Sequence, residues 1–346
     1  MNGNPLSADL DLVLLRTRPI WEELRGRRLF VTGGTGFFGC WLLETFAWAN
    51  DRLGLGAEMV VLTRNVENFR KKAPHLASRA DIQFHIGDVR DFAFPAGSFS
   101  HVIHMAVAAT IQQLKENPAL AVEIMVKGTE RALEFAARCG ASKFLLTSSG
   151  AVYGPQPPGL PHIPEDYKWV RDRSNARQEG KVKSEMLCTI AGQRHGIQMK
   201  IARCFTFVGP YLELDAGFAI ADFIRDAMAG GPIRISGDGT PYRSYLYAAD
   251  LAAWLWTILL RGASDRPYNV GSGNAITIAE TAAEVARAIG RNTGVDVAKK
   301  PVPGRTASRY VPDINRAVSE LQLDAWTPLD DAIRTTALWN SQRRSP

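Results

Sequence analysis

Cysteine is scarce in this chain and scattered. Cys40, Cys139, Cys188 and Cys204 are the four among 346 residues, with no CxxC and no His/Cys pair at metal-ligand spacing. That argues against a zinc module or a disulfide scaffold, and fits reduced, buried thiols in a cytoplasmic protein. The six histidines show no ligand spacing either, so no metal is expected. Long apolar runs are also missing. The most apolar, LAAWLWTILL over residues 251–260, is too short to cross a bilayer, and no membrane association is expected. The first residues, MNGNPLSADLDLVLLRTRPIWEELRGRR, carry charges through their apolar positions and no small-residue cleavage site, unlike a signal peptide. Basic residues are in excess, for a net charge of +6, but they are spread along the chain. No basic run is interleaved with aromatics, so nucleic acid is not an expected partner.

What is present is ordinary for a soluble globular protein: 46% hydrophobic and 22% charged residues. From residue 28 short β-rich runs alternate with longer helical ones. RRLFVTGG, AEMVVLTR, DIQFHIGD, HVIHMAV and KFLLTSS read as strands. FFGCWLLETFAWAN carries apolar residues at helical spacing, and PALAVEIMVKGTERALEFAARCG reads as a helix stopped by Gly140. This alternation implies βαβ units and an α/β fold: a Rossmann-type doubly wound parallel sheet covered on both faces. After residue 205 the sequence turns dense in Gly, Pro and short strand signals, as in GGPIRISGDGTPYRSYLY, which suits a smaller C-terminal α/β substrate-binding lobe. The expected organisation is a helical extension over 1–27 and a dinucleotide-binding domain over 28–205, to which 243–262 returns. The lobe is then 206–242 with 263–346.

VTGGTGFFG places Gly33, Gly36 and Gly39 between a predicted strand and a predicted helix. Glycines there let backbone N–H groups approach a pyrophosphate, and the helix N-terminus adds favourable partial charge. The following strand ends in Thr63-Arg64 rather than in an acid for the adenosine ribose. An arginine there can meet a 2′-phosphate or stack on adenine, which leans the cofactor from NAD toward NADP without deciding it. Asp88, in GDVRD, is placed to accept from the adenine amino group, or simply to cap a helix.

TGGTGFFG, GDVRD, VIHMAV, LLTSSGAVYG, EGKVKSE and YRSYLYAADL occur in this order, and together they resemble the extended short-chain dehydrogenase/reductases. More narrowly, they resemble the NAD-dependent epimerase/dehydratase branch that acts on nucleotide-linked sugars. The resemblance spans roughly residues 28–340. It implies a dinucleotide site from Gly33, Gly36, Phe37, Phe38, Gly39, Arg64, Asp88, Val89, Met105, Ala106 and Lys181. It also implies a nucleotide-sugar site from Ser149, Gly150, Thr206, Arg243 and Arg309. Helices over 118–139 and 175–195 would form a homodimer interface.

In that family a Ser or Thr, a Tyr and a Lys operate beside the nicotinamide, with the Tyr taking the sugar proton as hydride leaves and the Lys lowering its pKa. Ser149 and Lys181 match the first and last. The tyrosine position is Arg177. It lies one helical turn before Lys181 on the same face, and its guanidinium stays protonated and cannot act as a base. It can bind a phosphate or stabilise an oxyanion. A shifted register, pairing Lys183 with Glu179, would instead put a carboxylate in the base position, and Tyr153 and Tyr167 are phenols elsewhere. His104 fits a backbone-satisfied histidine beside the nicotinamide loop better than a base. The Asp-Glu pair that serves elimination in sugar 4,6-dehydratases is replaced by Gly150 and Ala151, and a decarboxylase-like glutamate is missing at the same place. Thr206 stands where the family has an asparagine.

The resulting expectation is an NAD(P)-dependent epimerase or keto-sugar reductase working by hydride transfer at sugar C4, with Ser149, Lys181 and Arg177 in an atypical active site. Two alternatives stay open. One is a catalytically impaired protein that binds dinucleotide and sugar nucleotide. The other is an enzyme related to the 4,6-dehydratases with non-standard acid/base residues.

Overall fold

The computed structural model describes residues 4–106, 116–168, 170, 172, 175–290 and 294–344. The chain enters through α1 (Ser7–Thr17) and a 3₁₀ helix (Arg18–Leu24). β1 (Arg28–Thr32), α2 (Phe37–Leu53), β2 (Glu58–Thr63), α3 (Val66–Lys72), α4 (Pro74–Ala77), β3 (Ile82–Ile86) and β4 (His101–His104) follow. Next come α5 (Pro118–Arg138), β5 (Lys143–Ser149), α6 (Ala176–His195), β6 (Gln198–Cys204) and β7 (Phe207–Val208). The remainder is α7 (Ala219–Ala229), β8 (Ile233–Ile235), β9 (Tyr242–Arg243), β10 (Leu246–Tyr247), α8 (Ala248–Arg261), β11 (Pro267–Val270), β12 (Ile276–Thr277), α9 (Ile278–Ile289), β13 (Val295–Val297), α10 (Asn315–Leu321) and α11 (Leu329–Arg344).

Each strand expected from the sequence is present. The one expected over 101–107 runs His101–His104, and its last residue, Val107, lies outside the described residues. Seven strands form one sheet in the order β11-β6-β5-β4-β1-β2-β3. β1 sits between β2 and β4 in parallel register, with Val31 opposite both Val61 and Ile103. Leu29, Phe30 and Val31 are fully buried, as strands covered on both faces must be. On one face Phe30 meets Phe135 at 4.5 Å and Phe92 at 5.3 Å between ring centroids. All four cysteines are buried free thiols. No described helix is long and apolar enough to cross a membrane.

The chain divides into two compact units. Unit 1 is Met1–Val152, Arg171–Arg203 and Ala252–Tyr268. It holds the glycine turn, α5, α6 and the N-terminal extension. That extension is built in: Trp21 is buried against Trp256 at 4.8 Å, and the Trp256 indole N–H donates to Thr45 Oγ1 at 2.8 Å. The Glu23 carboxylate receives Lys143 Nζ at 2.5 Å and Arg261 Nη1 at 2.7 Å. Unit 2 is Tyr153–Val170, Cys204–Leu251 and Asn269–Pro346. It contains three two-stranded sheets, β10-β7, β12-β9 and β13-β8, beside a layer in which α9 packs on α7 and α11. The segment Tyr153–Val170, which is separated from the end of β5 by three residues, belongs to this second unit.

Candidate functional site

The glycine turn after β1 has the geometry a phosphate cradle needs. Gly33 has φ +75°, and a Cβ there would meet the Ala106 nitrogen and Met105 carbonyl carbon at 2.7 Å. A Cβ on Gly39 would lie 2.3 Å from the Gly34 backbone, so α2 rests directly on the turn. Gly36 caps α2 and is exposed. A Cβ there would touch only the Gly33 carbonyl, at 3.4 Å. Two glycines are therefore required by packing, while Gly36 leaves open space at a helix N-terminus, where an anion is favoured. Phe37 and Phe38 open α2 and are half-buried. This arrangement fits a dinucleotide pyrophosphate.

Around that turn, Arg64 is exposed at the end of β2. Asp88 follows β3, but its carboxylate is engaged: Arg90 donates through Nε at 2.8 Å and Nη2 at 3.2 Å, and the Arg90 backbone N–H at 3.0 Å. The Arg90 guanidinium first, with Arg64 contributing more weakly, holds this carboxyl below its ordinary range. Asp88 thus closes its own turn, and its remaining acceptor capacity faces a basic neighbourhood. Val89 packs near Gly128 of α5. Met105 and Ala106 follow β4 beside the glycine turn, with the Met105 N–H on the Thr32 carbonyl at 3.1 Å.

The helix that carries Arg177 and Lys181 starts at an Asn175 cap whose side chain accepts the Gln178 N–H. Gln178 is buried and pins this end. Its Oε1 accepts the Asp172 N–H at 2.6 Å and its Nε2 donates to the Val152 carbonyl at 3.2 Å. Lys181 is 5% exposed, and its Nζ donates to the Thr147 carbonyl at 2.6 Å. It therefore sits against the end of β5, two residues before Ser149. Lys183 points outward and forms an exposed ion pair with Glu179 at 2.6 Å. The alternative register is a surface i, i+4 pair, and Lys181 belongs to the inward face. Arg177, one turn earlier, is half-buried. Ser149 is buried, with its Oγ accepting the Ala151 N–H at 3.2 Å, and Gly150 starts a 3₁₀ turn.

Two supporting groups were invisible as such in the sequence. The Glu185 carboxylate accepts Ser148 Oγ at 2.5 Å and a forked Arg203 guanidinium at 3.1 and 2.8 Å. His104 is fully enclosed, with threonine hydroxyls on both ring nitrogens. Burial first, and the charge of Lys181 second, push its pKa down to about 3, so it is neutral. The only sequence signal for the first group is an acid four residues after Lys181. For the second it is the position of His104 at a strand end.

Unit 2 gathers the other predicted residues. β9 pairs antiparallel with β12, Arg243 opposite Ile276. Tyr242 bridges Arg309 in parallel fashion, and the Arg309 guanidinium stacks on the Tyr242 ring at 4.0 Å. Arg243 donates through Nη1 to the Tyr242 carbonyl at 2.7 Å. Both arginines thus lie beside Tyr242, Arg243 as its chain neighbour and Arg309 as its bridge partner. The Thr206 hydroxyl donates to the Ser244 carbonyl, so its hydrogen is already committed within the unit. Of the other phenols, Tyr153 donates to Asn269 Oδ1 at 2.6 Å and sits edge-on to the Tyr167 ring at 6.4 Å.

The chain is similar to known proteins over most of its length. UDP-glucuronic acid decarboxylase 1 of Arabidopsis thaliana is 29% identical over 315 residues, covering 90% of this chain and 68% of that protein. UDP-glucuronic acid decarboxylase 6 of the same plant is 30% identical over 306 residues, covering 87% and 84%. The crystal structure of UDP-glucuronic acid 4-epimerase from Bacillus cereus, in complex with UDP-glucuronic acid and NAD, matches with a TM-score of 0.77 at 21% identity. That match covers 91% of this chain and 99% of that one, a likeness of fold. The model of the NAD dependent epimerase/dehydratase family matches residues 29–271, and the chain belongs to that family.

Proposed function

We propose that the chain binds NAD or NADP and a nucleotide-linked sugar, and that it acts at sugar C4 by hydride transfer, either transiently in an epimerisation or in net reduction of a keto sugar. The observation that carries this reading is Lys181, buried on the inward face of α6 and fixed to the end of β5 two residues from Ser149. The bound dinucleotide supplies the hydride acceptor or donor. Lys181 would hold its nicotinamide ribose, and Ser149 would orient the reacting sugar hydroxyl. Arg177 occupies the position of the family's tyrosine. Its guanidinium would stabilise negative charge on the C4 oxygen or bind a carboxylate of the substrate, while water or another group moves the proton. Arg243 and Arg309 would take the diphosphate. Gly150 and Ala151 offer no carboxylate for eliminating water, which supports epimerisation or reduction over dehydration. The names of the relatives make UDP-glucuronic acid the first substrate to test. The exposed Arg64 supports acceptance of a 2′-phosphate, and the family description supports NAD; affinities for both dinucleotides separate the two.

A homodimer is part of this reading. Met186 and Ile190, one turn apart on α6, are each 59% exposed, and Leu120 on α5 is exposed as well.

A second reading is favoured by Arg177 itself: a protein that binds both ligands and turns nothing over. The test is a turnover assay of the native chain and Arg177→Tyr on UDP-, dTDP-, GDP- and CDP-sugars, 4-keto forms included, with NAD or NADP. Turnover by the native chain that Arg177→Tyr does not improve supports the enzyme. Activity only in Arg177→Tyr supports the binding protein, since a positioned acid/base contributes roughly 10²–10⁴-fold.

A further inference from the structure

His104 lies at the end of β4 with a hydroxyl on each ring nitrogen. Thr32 Oγ1 is 2.8 Å from Nδ1, and Thr129 Oγ1 is 3.2 Å from Nε2. Thr32 Oγ1 already accepts the Ala106 N–H at 3.2 Å. The assignment that gives every hydrogen an acceptor has the Thr32 hydroxyl donating to Nδ1 and the Nε2–H donating to Thr129. The Thr129 hydroxyl then has the Met125 carbonyl at 2.7 Å and Ser184 Oγ at 2.9 Å within reach, and Ser184 donates to the Gly180 carbonyl at 2.9 Å. A neutral imidazole is needed for this pattern, because imidazolium would offer two donors and no acceptor. The enclosure of the ring and the nearby charge of Lys181 keep it neutral.

The chain of bonds therefore runs through β1, β4, α5 and α6. One end is Thr32, the residue before Gly33. The other is the carbonyl of Gly180, the residue before Lys181. Backbone contact tightens the first end, since Gly33 has no room for a Cβ against Ala106. Met125 crosses α6 equally closely: a Cβ on Gly180 would meet its Sδ at 2.9 Å. We propose that His104 is a positioning residue that couples the glycine turn to the turn of α6 carrying Lys181, so that the pyrophosphate and the nicotinamide ribose are gripped by one hydrogen-bonded unit. This rests on the reading that the chain binds NAD or NADP.

The experiment has two arms. Nitrogen-15 NMR of histidine-labelled native protein reports the ring directly: a single Nε2–H tautomer unchanged from pH 5 to 8 is expected, and titration or the Nδ1–H tautomer overturns the proposal. NAD affinity is then measured by calorimetry for native protein, His104→Phe, Ser184→Ala and the double variant, with circular dichroism to establish folding. Each single change is expected to weaken NAD binding about tenfold, and the double no more than the weaker single, because both break one chain. Unchanged affinity in a folded His104→Phe, or additive losses, overturns the coupling. Should His104→Phe fail to fold, Thr129→Val takes its place in the cycle. Absence of NAD and NADP binding by the native chain overturns the dinucleotide reading and the coupling with it, whereas binding with additive losses overturns the coupling alone.

Discussion

Arg203, near the end of β6, grips Glu185 in the middle of α6 with two parallel bonds, Nε to Oε1 at 3.1 Å and Nη2 to Oε2 at 2.8 Å. Ser148 adds a third donor to the same carboxylate. The two side chains are 14% and 13% exposed, so little water is present to replace a lost partner. The pair binds α6 to β5 and β6 one turn beyond Lys181, and thereby holds the predicted catalytic face in place.

Glu185→Ala leaves a buried guanidinium without its counter-charge. Removing one partner of such a pair costs about 3 kcal/mol, so the melting midpoint of this variant is expected to fall by several degrees. Differential scanning calorimetry of Glu185→Ala, Arg203→Ala and the double variant checks this. The double variant is expected to be less destabilised than the sum of the singles, since neither charge is then left unpaired.

Glycines in the phosphate turn separate packing from binding. Gly33→Ala forces a side chain into a left-handed backbone and onto Ala106, and is expected to lose both stability and dinucleotide affinity. Gly36→Ala meets only one carbonyl, at 3.4 Å, and is expected to keep its melting midpoint while NAD affinity falls by about tenfold or more, because the added methyl fills the space for the pyrophosphate. Calorimetry of both variants with and without NAD distinguishes the two effects.

The parts of this arrangement that were legible in the sequence are those set by local spacing. Alternation and turn glycines give the strands, and i, i+4 spacing puts Arg177 and Lys181 on one face. Contacts that depend on which distant segments meet were not legible. Arg203 looks like any arginine in MKIARCF until β6 is brought beside α6. The hydroxyl of Thr206 reads as available to a ligand until the Ser244 carbonyl is beside it. The choice between Lys181 and Lys183 is also tertiary, because only the sheet decides which lysine is inward. The grouping of Tyr153–Val170 with unit 2 rests on long-range bonds such as Asn269 Nδ2 to the Ile163 carbonyl at 2.8 Å.

Stability is expected to fall on mild acidification. His101 and His104 are buried neutral, with pKa values lowered to about 4 and about 3, chiefly by burial. Their unfolded-state values lie near 6.5. Below that pH the unfolded chain binds protons that the folded one refuses, so stability drops with falling pH by up to about 1.4 kcal/mol per unit for each histidine. The loss begins near pH 6.5 and continues for each until its folded pKa is reached. Melting midpoints from pH 7.5 down to 5 in His104→Phe, compared with the native chain, should show a shallower slope once one titrating group is removed.

The exposed apolar pair on α6 yields the last expectation. Met186 and Ile190 lie one turn apart on the same face as the Lys183–Glu179 ion pair, outward from the sheet. A stripe of this kind is stabilised by meeting another apolar surface, and a second copy of the same helix offers one through a two-fold axis, where each residue meets its own counterpart or near neighbour. Placing charges there sets like beside like across such an axis and leaves the buried face of α6 untouched. Sedimentation equilibrium of native protein is therefore expected to give a dimer and of Met186→Glu/Ile190→Glu a monomer with the same melting onset for unit 1. A monomeric native chain would remove the dimer from the proposed function and leave the dinucleotide and sugar sites as argued from one chain.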